Sequence, residues 1–299
     1  MRRSLLFIPG NRPNMIQNSE VLPADAIIFD LEDSVPAGEK DAARDLVARA
    51  LRFLDFGPRE RMVRINDLGS VEAKADLRAM VAAGVQTILL PKVGGAGTVK
   101  EADSLLSRAE REEGRQEGST GLVALLETAL GIEHALDAAL ASPRMTGLAL
   151  GGEDLSADLG CPRTREGWEI FYSRSRLVMA AKATGIDALD TPFTDVHDAE
   201  GCEQEARFVK DLGFTGKLCI SPSHLKAIHR AFTPSREEIL YAREVAEAME
   251  EGQRSGQGAV SLRGRMIDLP VLRQAQRILA LAGAAGLLRD EEADHEPGR

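Results

Sequence analysis

The feature that most constrains the fold is a series of eight short apolar runs, separated by longer stretches with helical spacing. The runs are SLLFIPG from residue 4, AIIFDLED from 26, RMVRIN from 61, TILLPKV from 87, LVALLET from 122, GLALGGED from 147, IDALDTPF from 186 and GKLCISP from 216. The intervening segments, as at residues 76–83, 132–140 and 168–184, carry apolar residues at helical intervals. Strands that alternate with helices in this way predict parallel βα units.

Near-continuous apolar strands indicate that both faces of each strand are buried. Eight such units predict an α/β fold, a closed (β/α)8 TIM barrel, with an open, doubly wound sheet as the alternative. The 299 residues do not force a split into several domains, because a barrel of about 250 residues is a single domain. We therefore assign residues 1–250 to a TIM-barrel catalytic domain and residues 251–299 to a C-terminal extension.

The extension has three parts. Residues 251–258 are rich in Gly and Ser, which predicts a flexible connection. Residues 266–288 have helical apolar spacing with Pro270 near their start, and the charged segment 289–299 is typical of a disordered tail. We expect the helix to form a lid or an arm onto a neighbouring subunit, with surface decoration as the alternative.

Polar residues gather at the carboxyl ends of the eight runs. They are Asp30, Glu32, Arg64, Asn66, Lys92, Glu127, Asp154, Asp190 and Ser221. In a barrel these ends share one mouth, where active sites lie. Strand ends also meet solvent and turns, so any one of these residues could be structural.

Glu127 and Asp154 are the most informative of this set, because they end the fifth and sixth runs. Carboxylate oxygens delivered from neighbouring strand ends suit a hard divalent cation. We therefore predict that these two residues are metal ligands.

The charge balance indicates which classes of binding partner are not expected for this chain. With 37 basic against 47 acidic residues the net charge is -10, which argues against broad binding to nucleic acid or to an anionic membrane. No apolar run reaches the roughly 18 residues of a membrane span, and the first run ends in Pro-Gly without a cleavage pattern. Cys161, Cys202 and Cys219 form no CxxC motif, a usage typical of a reduced, cytoplasmic protein.

Seven blocks, in order from residue 2 to about residue 280, resemble the citrate lyase beta subunit and its relatives. They are RRSLLFIPGNRPNM, PADAIIFDLEDSV, VRIN, LPKV, ALLET, GGEDLSADLG and MIDLP. These relatives are the acyl-CoA carbon–carbon lyases of the HpcH/HpaI aldolase superfamily, which include malyl-CoA and citramalyl-CoA lyases. Seven ordered blocks are a far more specific signal than a single tripeptide.

The resemblance implies a Mg2+-dependent TIM-barrel lyase, a homotrimer or hexamer, that cleaves a 3-hydroxyacyl thioester into an acyl thioester and a 2-oxo acid. Glu127 and Asp154 would bind Mg2+, Arg64 would bind the oxo-acid end, and Asp268 would reach the neighbouring subunit's site. The candidate substrates are citramalyl-CoA, malyl-CoA and a citryl thioester. Whether citrate lyase partner subunits accompany this chain is left open.

The chemistry of such a cleavage is consistent with these residue types. Breaking the bond between C2 and C3 develops negative charge on oxygen, which a Mg2+ ion and the always charged guanidinium of Arg64 would stabilise. Arg64 could instead pair with a structural acid at the rim. Glu32 and Asp33 could orient metal-bound water, although one of them could simply cap the following loop.

Three further assignments follow. None of the seven blocks contains a histidine, which favours a carboxylate as the proton shuttle. The resemblance implies Asp268 in this role, and its alternative role is to cap the next helix. Arg12 and Arg3 are candidates for the CoA phosphates, and Lys92 is a further candidate for substrate or CoA binding. The glycines at 94–97 lack the residues of a P-loop and predict only a flexible loop.

Two other functions remain open. A thioesterase would use the same enolate chemistry and release CoA without accumulation of a 2-oxo acid. A non-catalytic regulatory subunit would bind metal and a small acid without turnover. The chain also departs from its relatives, which commonly carry IHP at Ile220-Ser221-Pro222 and LPKVE where Gly94 follows Val93, so the acyl carrier and the oxo acid are not fixed.

Overall fold

A closed barrel of eight parallel strands forms the centre of the computed structural model, which describes residues 1–288. The strands are β1 (Ser4–Pro9), β2 (Ala26–Asp30), β3 (Glu60–Arg64), β4 (Thr87–Leu90), β5 (Gly121–Leu126), β6 (Met145–Leu150), β7 (Asp187–Asp190) and β8 (Gly216–Cys219). They follow one another in chain order, and β1 pairs with both β2 and β8. The predicted closed (β/α)8 barrel is confirmed, and each of the eight apolar runs contributes one strand.

Helices connect the strands and cover the barrel. They are α1 (Pro13–Asn18), α2 (Lys40–Phe53), α3 (Ala73–Ala83), α4 (Ala96–Glu112), α5 (Ala129–Glu133), α6 (Ala135–Ala139), α7 (Gly152–Leu159), α8 (Phe171–Thr184), α9 (Ala199–Leu212) and α10 (Leu225–Phe232). Short 3-10 turns occupy Ser19–Val21, Ala37–Glu39, Trp168–Ile170 and Pro222–His224. Helix α2 shows why these segments are helical: Ala43, Val47 and Leu51 recur at four-residue spacing and are buried.

A packed apolar core, rather than a channel, fills the interior of the barrel. Its buried cluster takes at least one residue from every strand: Leu5, Ala26, Ile28, Met62, Leu89, Val123, Leu125, Ala149, Leu189 and Leu218. Where a strand contributes two residues they are two positions apart, as expected for side chains on one face of a strand. This packing fixes the positions of the strand ends that carry the polar side chains.

The C-terminal unit begins at Ala231 and is described by itself, whereas residues 2–230 form the barrel unit. It contains α11 (Arg236–Arg254), a hairpin of β9 (Val260–Leu262) and β10 (Arg265–Ile267), and α12 (Leu269–Ala284). Ala242, Val245, Ile267, Leu272 and others form its own apolar cluster. The structure therefore starts this unit earlier in the chain than the predicted boundary at residue 250.

The predicted flexible connection at 251–258 is also different in the structure. Helix α11 continues to Arg254, and Gly252 is buried so close to Val260 that a Cβ on the glycine would lie 2.3 Å from Val260 Cγ1. The glycine thus permits close packing rather than flexibility. The predicted disordered tail, residues 289–299, lies outside the described residues. Within residues 1–288, none of the helices combines the length and the apolar character needed to cross a membrane.

Candidate active site

A cavity of about 350 Å3 opens at the carboxyl ends of the barrel strands. Its wall includes Asp30 at the end of β2, Arg64 at the end of β3, Glu127 after β5 and Asp154 after β6. The structure thus brings the predicted metal pair and the predicted substrate-binding arginine to one place. That place is the mouth where catalytic groups of such barrels lie.

Glu127 lies on the inner wall with 2 % of its surface exposed. One of its oxygens, Oε1, accepts a 2.7 Å hydrogen bond from the main-chain N–H of Lys92. Burial raises the pKa of Glu127 to about 8, and the nearby carboxylates of Glu32 and Asp154 act in the same direction. A bound cation would stabilise the ionised form of a buried carboxyl group that lies among other carboxylates.

Asp154 lies in the first turn of α7. The backbone that leads into this helix packs very closely against other residues of the site. A Cβ on Gly151 would lie 2.6 Å from Glu127 Cβ and 2.7 Å from Glu127 Oε2. The next residue, Gly152, donates its N–H to Thr191 Oγ1 at 2.9 Å. The segment that carries Asp154 is therefore fixed between Glu127 and Thr191, and only glycine fits at position 151.

Glu32 adds a further carboxylate, which is buried and has unused hydrogen-bonding capacity. Its oxygens lie 3.1 Å from Arg64 NH1 and 3.1 Å from Lys92 Nζ, yet neither contact has hydrogen-bond geometry. Burial raises the pKa of Glu32, while the charge of Arg64 opposes that rise. Both oxygens can thus still accept hydrogen bonds from water or a ligand.

These donors fit a magnesium ion. Within residues 1–288, there is no group of three or more His, Cys, Asp and Glu side chains arranged to hold a metal ion. Mg2+ does not require such a cage, since it is usually bound through one or two carboxylates and keeps several waters. Glu127 and Asp154 provide such a pair, and Glu32 has free acceptors for a metal-bound water.

Arg64 is clamped by Asp30, its partner in the register of β2 and β3. Arg64 Nε donates to Asp30 Oδ1 and NH2 to Oδ2, both at 2.7 Å, and the guanidinium lies 5.1 Å from the ring centre of Phe7. Burial alone would raise the pKa of Asp30, but the hydrogen bonds and charge of Arg64 lower it overall. Arg64 thus pairs with a rim acid and also faces the cavity, and its role in binding the oxo acid stays a prediction.

Asp30 also orders the loop that follows β2. Its Oδ1 accepts the N–H of Glu32 at 2.9 Å and its Oδ2 accepts the N–H of Ser34 at 3.1 Å. The loop-capping role suggested for Glu32 or Asp33 thus belongs to Asp30. Asp33 lies on the cavity wall, 3.6 Å from Arg64 NH1.

The predicted CoA-binding residues are placed differently from one another. Arg12 is exposed in the loop after β1, between Pro9 and Met15, and these two residues line the cavity. Arg3 precedes β1 at the amino end of the barrel, where Nε and NH2 bind Asp25 at 2.9 and 2.8 Å. The structure corrects the assignment of Arg3 to CoA phosphates, because Arg3 lies a full strand length from the mouth.

Asp268 belongs to the C-terminal unit and caps α12. Its Oδ1 accepts the N–H of Val271 at 3.3 Å. The structure thus shows the capping role that was the alternative for this residue. Its role as a proton shuttle stays a prediction.

Three other strand-end residues serve the scaffold. Asn66 Nδ2 donates to buried Asp76 at 2.7 Å, Asp190 is fully buried against Arg174 and Lys217, and Ser221 caps the following 3-10 turn. None of the three lines the cavity among the residues described. A polar residue at a strand end is thus not by itself evidence for a functional residue.

Sequence reasoning missed the residues that support the site. Gly151, Gly152, Thr191 and Phe7 were not assigned any role, although all four contribute to the wall. The adjacent glycines directly before Glu153 were the one available signal, since paired glycines at a strand–helix junction indicate close approach of the backbone. Thr191 has no local signal, because its partner Gly152 is 39 positions away.

Comparison with protein families and known structures identifies relatives of this chain. The family model for HpcH/HpaI aldolase/citrate lyase matches residues 3–222. The citrate lyase subunit beta of Leuconostoc mesenteroides subsp. cremoris is 43 % identical over 97 % of this chain and 96 % of its own length. Mitochondrial citramalyl-CoA lyase of Mus musculus is 35 % identical (94 % and 86 % covered), and (3S)-malyl-CoA thioesterase of Cereibacter sphaeroides is 34 % identical (96 % and 96 %).

Solved structures of CitE from Mycobacterium tuberculosis have the same fold. The complex with magnesium, acetoacetate and coenzyme A is 36 % identical, covers 94 % of this chain and 98 % of its own, and has a TM-score of 0.78. The resemblance inferred from the seven sequence blocks is confirmed, as is the expectation of a carbon–carbon lyase at the level of the family. The chain belongs to the HpcH/HpaI aldolase/citrate lyase family.

Proposed function

We propose that this protein is a Mg2+-dependent carbon–carbon lyase that cleaves a 3-hydroxyacyl thioester into an acyl thioester and a 2-oxo acid. The observation that carries the proposal is the placement of Glu127, Asp154 and Arg64 on the wall of one cavity at the barrel mouth. Two carboxylates that can hold a cation and one guanidinium that can face an oxyanion suit this chemistry. The relatives named citrate lyase and citramalyl-CoA lyase, and the CitE complex with magnesium and coenzyme A, support it.

The reaction breaks the bond between C2 and C3 of the thioester. The C3 hydroxyl loses its proton and becomes the ketone of the oxo acid, while C2 keeps the electron pair as an enolate and then takes up one proton. Mg2+, when bound, acts as a Lewis acid toward the C3 oxygen and the adjacent carboxylate.

The protein's own groups prepare this site before substrate arrives. Glu127 and Asp154 hold the cation, and Lys92 and Gly151 fix the orientation of Glu127. Asp30 occupies Nε and one N–H of NH2 of Arg64, so the remaining N–H groups of its guanidinium face the developing negative charge. Because Asp30 and Glu127 are buried and held by these contacts, they need little reorganisation in the transition state.

The remaining roles extend the proposal. Asp268, supplied by a neighbouring subunit of a homotrimer or hexamer, would carry the proton between C2 and solvent. Arg12 would bind the CoA phosphates, and Lys92 would assist substrate binding by holding Glu32 in place. We also propose a cytoplasmic location, which the free Cys161, Cys202 and Cys219 support. If the chain is a true citrate lyase subunit, partner subunits would deliver the acyl thioester.

The test is an assay of purified protein with citramalyl-CoA, malyl-CoA and citryl-CoA, with Mg2+ or with excess EDTA. We expect a 2-oxo acid and acetyl-CoA in equal amounts with Mg2+ and none with EDTA. Glu127→Gln should abolish both Mg2+ binding and turnover, whereas Glu133→Gln, an exposed carboxylate outside the cavity, should change neither. Metal-independent turnover would contradict the proposal.

Thioester hydrolysis is the second candidate, because one relative is a (3S)-malyl-CoA thioesterase that matches this chain over 96 % of its length. The same assay separates the two activities. A thioesterase releases free CoA thiol and the hydroxy acid, with no acetyl-CoA, whereas a lyase yields acetyl-CoA and no free thiol. Binding of Mg2+ and oxo acid without any turnover would instead identify a regulatory subunit.

A further inference from the structure

The cavity wall carries many carboxylate side chains and few basic side chains. Five carboxylate side chains line it: Asp30, Asp33, Glu127, Glu153 and Asp154. Among the residues described, Arg64 is the one basic side chain of this wall. With Mg2+ bound as proposed, an anionic ligand would meet one guanidinium, one metal ion and several carboxylates, of which Glu153 pairs with Arg163 at 3.1 Å.

Arg64 keeps N–H groups for one carboxylate of the ligand and, within residues 1–288, is the one guanidinium that the wall offers. Two of its N–H groups donate to Asp30, and NH1 lies 3.1 Å from Glu32. The nearby Lys92 is not part of the wall, and its Nζ lies 3.1 Å from Glu32. Arg12 is exposed and is not part of the wall either. The wall can thus neutralise the carboxylate next to the keto carbon. In the part of the chain that the structure describes, it offers no further basic side chain to a second carboxylate at the other end of the oxo acid.

Most of the rest of the wall is apolar, and the hydroxyls of Ser34 and Thr191 are its uncharged polar side-chain groups. Leu125 and Leu218 are buried in the barrel core and face the cavity, and Phe7, Pro192 and Ile220 line it further out. A methyl group packs against such a surface, whereas a carboxylate there would lose its hydration without gaining a charged partner. Apolar lining and missing bases point to the same kind of ligand.

We infer that the 2-oxo acid released by this site carries a single carboxylate and a small uncharged substituent, as pyruvate does. This inference rests on the proposed function and deepens it. The substrate is then a 3-hydroxyacyl thioester of the citramalyl type rather than the citryl type. The citryl ester would place a second carboxylate of the departing oxo acid, as in oxaloacetate, against the apolar and acidic wall.

Binding in relatives does not decide between these acids. Structures of M. tuberculosis CitE hold magnesium with oxaloacetate (33 % identical, 78 % of this chain and 97 % of that chain covered, TM-score 0.65) and with pyruvate (31 %, 93 % and 98 %, TM-score 0.70). The comparison must therefore be quantitative and made on this chain.

The experiment measures kcat/KM for citramalyl-CoA and citryl-CoA with saturating Mg2+, both as CoA esters so that the carrier does not vary. We expect citramalyl-CoA to be preferred by roughly tenfold or more, because a buried charge without a partner is strongly disfavoured. Equal or better cleavage of citryl-CoA would overturn the inference and leave the lyase proposal intact. If neither ester is cleaved, the lyase proposal fails, and calorimetry with Mg2+ and pyruvate or oxaloacetate decides the inference. Oxaloacetate binding as tightly as pyruvate would then overturn it.

A variant pair tests the cause. Ile220 lies on the wall with 44 % of its surface exposed, so it accepts a long polar side chain without disturbing the core. Ile220→Arg should reduce the preference for citramalyl-CoA by roughly threefold or more, since it adds a base for the distal carboxylate. The uncharged control Ile220→Gln should not reduce it. An equal effect of both variants would show that charge is not what sets the preference.

Discussion

The main-chain N–H of Lys92 donates to Oε1 of Glu127 at 2.7 Å from a left-handed backbone with φ of 52°. A residue with a Cβ is strained in this conformation, and such strain is found at functional sites held by their surroundings. The peptide of Lys92 thus orients Glu127, the carboxylate proposed to bind the metal, while the Nζ of Lys92 lies 3.1 Å from Glu32. Main chain and side chain of one residue act on two different acids.

Two substitutions separate these roles. Lys92→Gly and Lys92→Ala both remove the ammonium group, but only glycine relieves the left-handed strain. We expect Lys92→Gly to be more stable than Lys92→Ala by about 0.5–1 kcal/mol, because relief of about 1–2 kcal/mol exceeds the extra chain entropy of glycine. Both should retain Mg2+ affinity. Urea denaturation and Mg2+ calorimetry measure these effects, and a less stable glycine variant would exclude strain at this position.

Gly151 offers a test of the metal pair that leaves both carboxylates in the chain. Gly151→Ala would place a Cβ 2.6 Å from Glu127 Cβ, so Glu127 or the entry of α7 must move. We expect Mg2+ affinity to fall by roughly tenfold or more, as for other changes in the support of metal ligands. Gly97→Ala is the matched control, since nothing lies within 4 Å of its added Cβ in α4. Equal affinities of the two variants would mean that position 151 does not support the site.

The hydrogen bonds between Asp30 and Arg64 predict that substitution of Arg64 lowers the activity and the free energy of unfolding but not the affinity for Mg2+. Arg64→Lys keeps the charge but cannot donate in the bidentate way, which leaves buried Asp30 partly unpaired. We expect kcat/KM to fall by roughly 100-fold and unfolding free energy by about 3 kcal/mol, with Mg2+ affinity retained. Asp30→Asn keeps an oxygen for the loop but weakens the orientation of Arg64.

A double-mutant cycle over these two positions provides the control. If Asp30 acts through Arg64, the double variant should lose little more activity than Arg64→Lys alone. Additive losses in kcat/KM would instead show that Asp30 acts on the substrate independently.

How much of this could be read from the sequence depends on the range of the interactions. The eight strands were predictable because periodicity and length are local properties. The placement of Glu127 and Asp154 on one cavity followed from two neighbouring strand ends, while their role as metal ligands stays a prediction. The roles of Asn66 and Asp190 were not, since their partners are distant in the chain and strand-end position is the same for structural and catalytic residues. Residues 231–250 belong with α12 through contacts that local composition does not reveal.

Glu110 makes the free energy of unfolding of the barrel depend on pH. It is fully buried, accepts the N–H of Gly118 and Thr120 at 2.7 and 2.8 Å, and pairs with Arg144. Burial opposes ionisation, but these partners lower the pKa of Glu110 from 4.5 to about 2. The unfolded chain therefore binds the extra proton, so this stabilisation is complete above pH 4.5 and is lost as the pH falls toward 2.

The expected loss is up to about 3 kcal/mol across that window. Urea midpoints of the native protein and of Glu110→Gln, measured between pH 6 and pH 3, should converge as the pH decreases. The variant lacks the titrating group, so its dependence on pH should be shallower. Parallel curves would show that Glu110 does not titrate in this range.

Asp268 can be assigned by separating its capping role from proton transfer. Asn caps helices about as well as Asp, so Asp268→Asn should preserve the free energy of unfolding, whereas Asp268→Ala should lower it by about 0.5–2 kcal/mol. If Asp268 carries the proton, both variants should lose turnover by roughly 100-fold or more while Mg2+ and pyruvate still bind. Full activity of Asp268→Asn together with an unstable Asp268→Ala would leave the residue with the capping role alone, and another group would have to protonate the enolate.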